Sequence, residues 1–332
     1  MTSLMENEPT SEAPKSNAHF FEWFGRYGAL LVLAVLIIGT SILAPTTFPT
    51  VDNAINILNQ SALSAIIAMG LTFVLVTGEF DLSIGNTASL AGVTACALMV
   101  NQNLSIPLAL VAILVVGAIV GLINGFVVTF MNVSALVATL GVGTIVIGVN
   151  YMISDGAPIA LGDPDAFLEI TFGRFLGIPY PVFIMLVIAA LLWWLLNRTV
   201  LGQSMQAVGG NRVAAELSGI RVDRVRVIAF VVCSMCAAVT GFLLASRTGS
   251  AAVSAGDTYL LSAFAASFFG SAVLRDGQFH ILGTLVGVIT VSVGFNSIAL
   301  VGLETYWQYF FQGLLLILGV GVGTLARRRA AA

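Results

Sequence analysis

The sequence predicts an all-α integral membrane protein of about ten transmembrane helices, on three observations. Of 332 residues, 58% are hydrophobic and only 9% are charged, against about 45–50% and about 25% in soluble domains. With 13 basic and 16 acidic side chains, the chain cannot cover a soluble surface of this size. Its apolar residues fall in runs near the ~20 needed to cross a ~30 Å hydrocarbon layer. The Lys and Arg residues sit almost entirely in alternate connections. These figures exclude a disordered chain, collagen, a nucleic-acid binder and a disulfide-stapled secreted domain.

Residues 1–26 read as a tail and interfacial segment. Glu6, Glu8 and Glu12 against Lys15, with Pro9 and Pro14, predict disorder rather than a signal peptide, which would open on a basic region. Phe20, Phe21, Trp23 and Phe24 form an aromatic anchor before the first apolar run. The transmembrane domain follows over 27–326. Its runs are 28–44, 54–77, 82–100, 106–130 and 134–153, then 181–196, 225–246, 259–274, 279–301 and 306–325. Residues 327–332 are a basic tail. Two connections exceed a tight turn. One is 154–180, rich in Gly, Pro and acids; the other, 198–224, holds helix-compatible stretches at 204–208 and 213–217 with a break expected at Gly209–Gly210.

With the N-terminus inside, the cytoplasmic segments hold Lys15, Arg26, Arg198, Arg212, Arg221, Arg224, Arg226, Arg275, Arg327, Arg328 and Arg329, 11 of 13 basic residues. Arg174 and Arg247 fall outside. The positive-inside rule therefore predicts two cytoplasmic termini and an external 154–180 segment.

A weak internal repeat is also legible. Gly117-Ala-Ile-Val-Gly121-Leu-Ile-Asn124 resembles Gly283-Thr-Leu-Val-Gly287-Val-Ile-Thr290, and Leu140-Gly-Val-Gly143 recurs as Leu318-Gly-Val-Gly321. Both pairs are offset by five spans. An odd offset reverses chain direction, so spans two to five and seven to ten would be inverted copies. The same glycines, four residues apart, equally suit close helix packing.

The chemistry is sparse. Cys233 and Cys236 form C-x-x-C inside an apolar run without further ligands, which reads as packing. The only lysine, Lys15, lies outside any P-loop context, so an ATP-driven process needs another subunit. Glu79 and Asp81 are the only carboxylates near a span interior, which disfavours ion coupling. Asp81 or Ser83 is expected to cap the third span, with a further charge-dependent role for Asp81, such as pairing with an Arg during the access change. Asn124, Asn150, Asn296 and Gln312 are polar candidates for lining a pathway, although hydrogen bonds between helices would explain them as well. Metal ligands and paired catalytic acids are lacking, which disfavours a membrane-embedded enzyme.

These residues carry a resemblance. Gly78-Glu-Phe-Asp81-Leu82-Ser83-Ile-Gly85 and Thr139-Leu-Gly141 resemble motifs of the permeases of bacterial ribose-type (monosaccharide) ATP-binding cassette importers, within the superfamily that includes branched-chain amino acid permeases. Arg198-Thr-Val-Leu-Gly202, Ala207-Val-Gly209-Gly210-Asn211 and Ala214-Ala215-Glu216-Leu-Ser218-Gly219 are similar to the cytoplasmic segment that docks on the ATPase. The resemblance spans residues 53–312. It implies a bacterial inner-membrane permease for a monosaccharide, without a cofactor of its own. Its implied partners are a cytoplasmic ATPase carrying ATP and Mg, an external or periplasmic substrate-binding protein, membrane lipid, and a second permease copy or paralogue. Departures at Phe269-Gly270-Ser271, Asp276-Gly277, Ser134–Ala135 and Ile147-Gly148 leave open which substrate is carried and whether the dimer is homomeric. Branched-chain amino acids or nucleosides on the same fold, or an ion-coupled carrier, are the alternatives.

Overall fold

The structure, a computed structural model, describes residues 16–271 and 277–330, with side chains over 27–271 and 277–321. Residues 1–15 of the tail expected over 1–26, residues 272–276 with Arg275, and residues 331–332 lie outside that description.

The helices are α1 (Ser16–Leu43), α2 (Val51–Val76), α3 (Ile84–Gln102), α4 (Ile106–Thr129), α5 (Ala135–Ser154), α6 (Asp165–Phe172), α7 (Tyr180–Arg198), α8 (Val200–Gly210), α9 (Arg212–Leu217), α10 (Val222–Thr248), α11 (Asp257–Ser271), α12 (Ile281–Leu300) and α13 (Tyr306–Ala330). Among the described residues, four two-residue strands, β1 (Ile159–Ala160), β2 (Arg174–Phe175), β3 (Ile178–Pro179) and β4 (Ser250–Ala251), pair antiparallel as β1–β4 and β2–β3. Among the described residues, seven helices are long and apolar enough to cross a membrane: α2, α3, α4, α5, α7, α10 and α12. An apolar stretch, Tyr27–Leu43, lies in α1. The chain is thus an all-α, multi-pass membrane protein. Helix α1 begins at Ser16, so the backbone of the aromatic cluster at 20–24 is helical and continuous with the apolar stretch that starts at Tyr27.

Local chemistry sets the ends. Thr50 Oγ1 accepts from Asn53 N and caps α2. Asn103 and Asp155 close α3 and α5 in the left-handed region, which short polar side chains tolerate. Segment 154–180, read from sequence as a loop, folds α6 against α10. Phe167 meets Phe242 edge-on at 5.1 Å, and Ser246 Oγ donates to Phe167 O at 2.6 Å.

Helix α10 is central, packing on α2, α3, α4, α6 and α8. Its tightest neighbour is α4, where Gly117, Gly121 and Gly125 sit on the backbone of Ser234, Phe230–Val231 and Val227. Side chains there would drive the helices apart, and their absence lets dispersion contacts accumulate. The helix pairings repeat across the two halves. The pairs α3–α4, α3–α5, α4–α5, α10–α4 and α10–α3 have counterparts in α11–α12, α11–α13, α12–α13, α2–α12 and α2–α11, while α2 meets α10 and α3 meets α11. Helices α1 and α7 stand outside this scheme, against α12 and α2 respectively.

The glycine motifs do not follow that symmetry. Gly117 and Gly121 face α10, but Gly283 and Gly287 face Gly270 and Ala266 of α11. The counterpart of the α4–α10 contact would be α12–α2, so the repeated glycines serve different interfaces.

Candidate functional site

The helix α2 ends at Val76, and Gly78 reverses the chain with φ +82°, a conformation that a Cβ makes costly. The N–H of Glu79 donates to Val74 O at 3.1 Å and that of Gly78 to Leu75 O at 3.0 Å. This is the paired hydrogen-bonding of a Schellman cap, and it satisfies carbonyls that lipid could not. The chain then runs non-helically to Ser83, and α3 begins at Ile84.

That break lies deep. Asp81 is 0% exposed and touches the thiol of Cys233, near the middle of α10. Asp81 Oδ1 accepts from Ser83 N at 2.9 Å and from Ser83 Oγ at 2.6 Å. Asn124 Nδ2 of α4 donates to Ser83 Oγ at 2.8 Å. Leu82 N donates to Thr139 Oγ1 of α5 at 3.0 Å, and Thr139 in turn donates to Ala135 O at 2.7 Å. One turn thus ties α3, α4 and α5 together and lies against α10. Ser83 makes no side-chain cap to α3, and Asp81 satisfies the N–H of Ser83 itself, just ahead of the helix. Asp81 Oδ2, Asn124 Oδ1 and Ser234 Oγ are buried without a hydrogen-bond partner among the described residues.

The start of α11 meets the start of α3 at this depth. Gly256 N donates to Ser89 Oγ at 2.9 Å, and a Cβ on Gly85 would stand 3.0 Å from Gly256 O. From there α3 runs toward Ala245 and α11 toward Ala68. Two helix N-termini therefore meet inside the bundle.

Glu79 serves another element. It accepts from Arg226 Nη2 of α10 at 2.8 Å and pairs with Arg212, the first residue of α9. Arg226 also stands 3.7 Å from Asp223. Side-chain exposures are 11% for Glu79, 7% for Arg226 and 47% for Arg212. Asp81, by contrast, has no basic partner among the described residues, so the carboxylate that meets arginines is Glu79.

The segment expected to couple to a partner folds as α8 and α9. Their break falls at Asn211 rather than at Gly209–Gly210. Asn211 takes an extended backbone and its Oδ1 caps Ala214 N at 3.0 Å, whereas both glycines stay helical. Gly209 has a packing reason instead: a Cβ there would collide with Val76 O. Ala215 is buried, and Ala207, Gly210, Ala214, Glu216, Ser218 and Gly219 are exposed. Large apolar side chains are uncovered beside them at Val200, Val213 and Leu217.

The remaining sequence candidates scatter. A Cβ on Gly141 would meet no neighbouring element, while one on Gly143 would press on Asn86. Asn150 is fully buried with both amide atoms unpartnered among the described residues. Asn296 exchanges two hydrogen bonds with Asn53, at 2.9 and 3.1 Å. Gln312 donates to Ser262 at 3.0 Å. All four amides proposed for a pathway are thus buried within one protomer. Sequence reasoning used Arg212 and Arg226 only to orient the chain and missed their partner. The signal was available, since a carboxylate beside a span needs a counter-charge.

A buried polar break among apolar helices, joined through Glu79 to a surface helix pair, gives this multi-pass membrane protein a polar centre. The chain belongs to the family described as branched-chain amino acid transport system / permease component, whose profile matches residues 53–320. It is 36% identical to the ribose import permease protein RbsC of Haemophilus influenzae, over 96% of this chain and 97% of that one. The Bacillus subtilis ribose import permease is 34% identical over 93% and 96%. The Escherichia coli L-arabinose transport system permease protein AraH is 33% identical over 93% and 94%. A solved structure, PsaBC from Streptococcus pneumoniae with a Fab, aligns over 86% of this chain and 94% of its own at 14% identity and a TM-score of 0.45.

Proposed function

We propose that the chain is the membrane subunit of an ATP-driven importer for a monosaccharide, two copies or a paralogous pair forming the pathway. The observation that carries this is the latch between α9 and the intramembrane break, through Arg212 and Glu79. A cytoplasmic ATPase would grip α8 and α9, whose uncovered Val200, Val213 and Leu217 suit a protein groove. Movement of α9 would pull on Glu79 and so on the turn that starts α3. ATP and Mg would reside on that ATPase, and the permease would turn over no substrate itself. Relatives named for ribose, L-arabinose and galactose support the sugar class. The family description keeps branched-chain amino acids as a second reading.

The basic residues favour cytoplasmic termini in a bacterial inner membrane, with α6 and the strands outside, where a substrate-binding protein would dock. The test is reconstitution of the permease in proteoliposomes with its ATPase and binding protein. ATP-dependent uptake of D-ribose, L-arabinose or D-galactose is the expected result. Uptake driven by an ion gradient without partners would overturn the reading.

A further inference from the structure

A polar stripe runs along α2 where the helix is least covered. Asp52, Asn56, Gln60 and Ser64 recur every four residues and so share one face. The first three are exposed and Ser64 is half-buried, whereas almost all of α2 from Ser61 to Leu75 is buried. Twelve residues of helix make the stripe about 18 Å long, reaching from the end of α2 toward mid-membrane. Facing lipid, these groups would lose hydrogen bonds to water with nothing in return.

The surroundings extend it. Gln60 Nε2 donates to Asn56 Oδ1 at 3.2 Å, which leaves Asn56 Nδ2 and Gln60 Oε1 without a protein partner among the described residues. Arg247 of α10 donates to Asn59 O at 3.0 Å and meets no carboxylate within ion-pair distance among the described residues. Asn59 Oδ1 is enclosed and unpartnered. Helix α11 packs on α2 and exposes Asp257 at its start.

We infer that this stripe, centred on Asn56 and Gln60, is the surface a neutral polyhydroxylated sugar follows from the outer face to mid-membrane, with a second permease copy closing the other side. The inference rests on the sugar-importer reading above. Its basis is chemical complementarity. Each amide offers a donor and an acceptor on one rigid plane, as vicinal hydroxyls require, and successive amides a turn apart allow hand-over between weak sites. A branched-chain amino acid would instead need an apolar recess for its side chain, which the stripe does not provide.

The test uses the full complex of permease, ATPase and binding protein in proteoliposomes. The probe is whichever of D-ribose, L-arabinose and D-galactose the unaltered complex takes up. Asn56→Leu and Gln60→Leu should each lower uptake at least tenfold, while binding-protein-stimulated ATP hydrolysis stays within twofold. Cysteines at 56 and 60 should react with a charged, membrane-impermeant thiol reagent, and the transported sugar should slow that reaction. A cysteine at Leu58, exposed on another face of α2, should stay unreactive. Unchanged uptake in both Leu variants, or equal reactivity at 56, 58 and 60, would overturn the assignment. If the unaltered complex takes up none of the three sugars, the sugar reading itself fails, and with it the ligand class given to the stripe.

Discussion

Replacing Glu79 by Gln removes the carboxylate that Arg212 and Arg226 share. The two pairs differ in environment, so the loss divides unequally. Arg226 is 7% exposed, and stranding such a cation costs about 3–5 kcal/mol when burial is complete. Asp223, 3.7 Å away, offers a residual partner and brings the expected cost to about 2–3 kcal/mol. Arg212 is 47% exposed, and its share is under about 1 kcal/mol. Thermal unfolding in detergent should therefore rank Glu79→Gln and Arg226→Met together as strongly destabilised, with Arg212→Met close to the unaltered protein. The functional ranking should differ. Arg212→Met cuts the tie between α9 and the break, so sugar moved per ATP hydrolysed should fall severalfold while expression and stability hold. Full coupling in Arg212→Met, or equal destabilisation by both Arg variants, would refute the latch.

Gly209→Ala drives a methyl into the Val76 carbonyl and should lower thermal stability and coupling, whereas Gly210→Ala, with open space around it, should be silent; unfolding midpoints of the two variants check this. Asp81→Asn retains an acceptor for both Ser83 donors and should keep near-normal uptake, while Asp81→Leu leaves those donors unpaired at about 1–3 kcal/mol each. A transport-dead but stable Asp81→Asn protein would instead assign Asp81 a charge-dependent role. A cysteine at Asp163 should label from outside intact cells with an impermeant reagent, and labelling only after lysis would invert the proposed topology.

The spans were legible because lipid makes run length and composition sufficient; no tertiary information is needed to see α4 or α12. The break at 78–85 was visible because two carboxylates and two glycines interrupt apolar sequence. Its counterpart before α11 was not, since residues 249–256 are small and uncharged and read as an ordinary connection. The interruption of α8 and α9 was misplaced because a glycine pair suggests a break, while here Gly209 is required by a neighbour 133 positions earlier in sequence, Val76. Likewise, Glu79 and Arg212 are separated by 133 residues, and local pattern carries no trace of such a pairing. The halves were sensed through glycine repeats, yet those glycines occupy unlike interfaces. What the halves share is the order in which helices meet.

The central place of α10 has a consequence for synthesis. The glycine face of α4 is complete once residue 129 has emerged, but α10 ends at Thr248, 119 residues later. At about 5–20 residues per second the wait is roughly 6–24 s. Throughout it, the backbone ledge of Gly117, Gly121 and Gly125 and the Asp81–Asn124 turn stand in the bilayer without their covering helix. A chain truncated after α7 would thus lack the helix that packs on this glycine face.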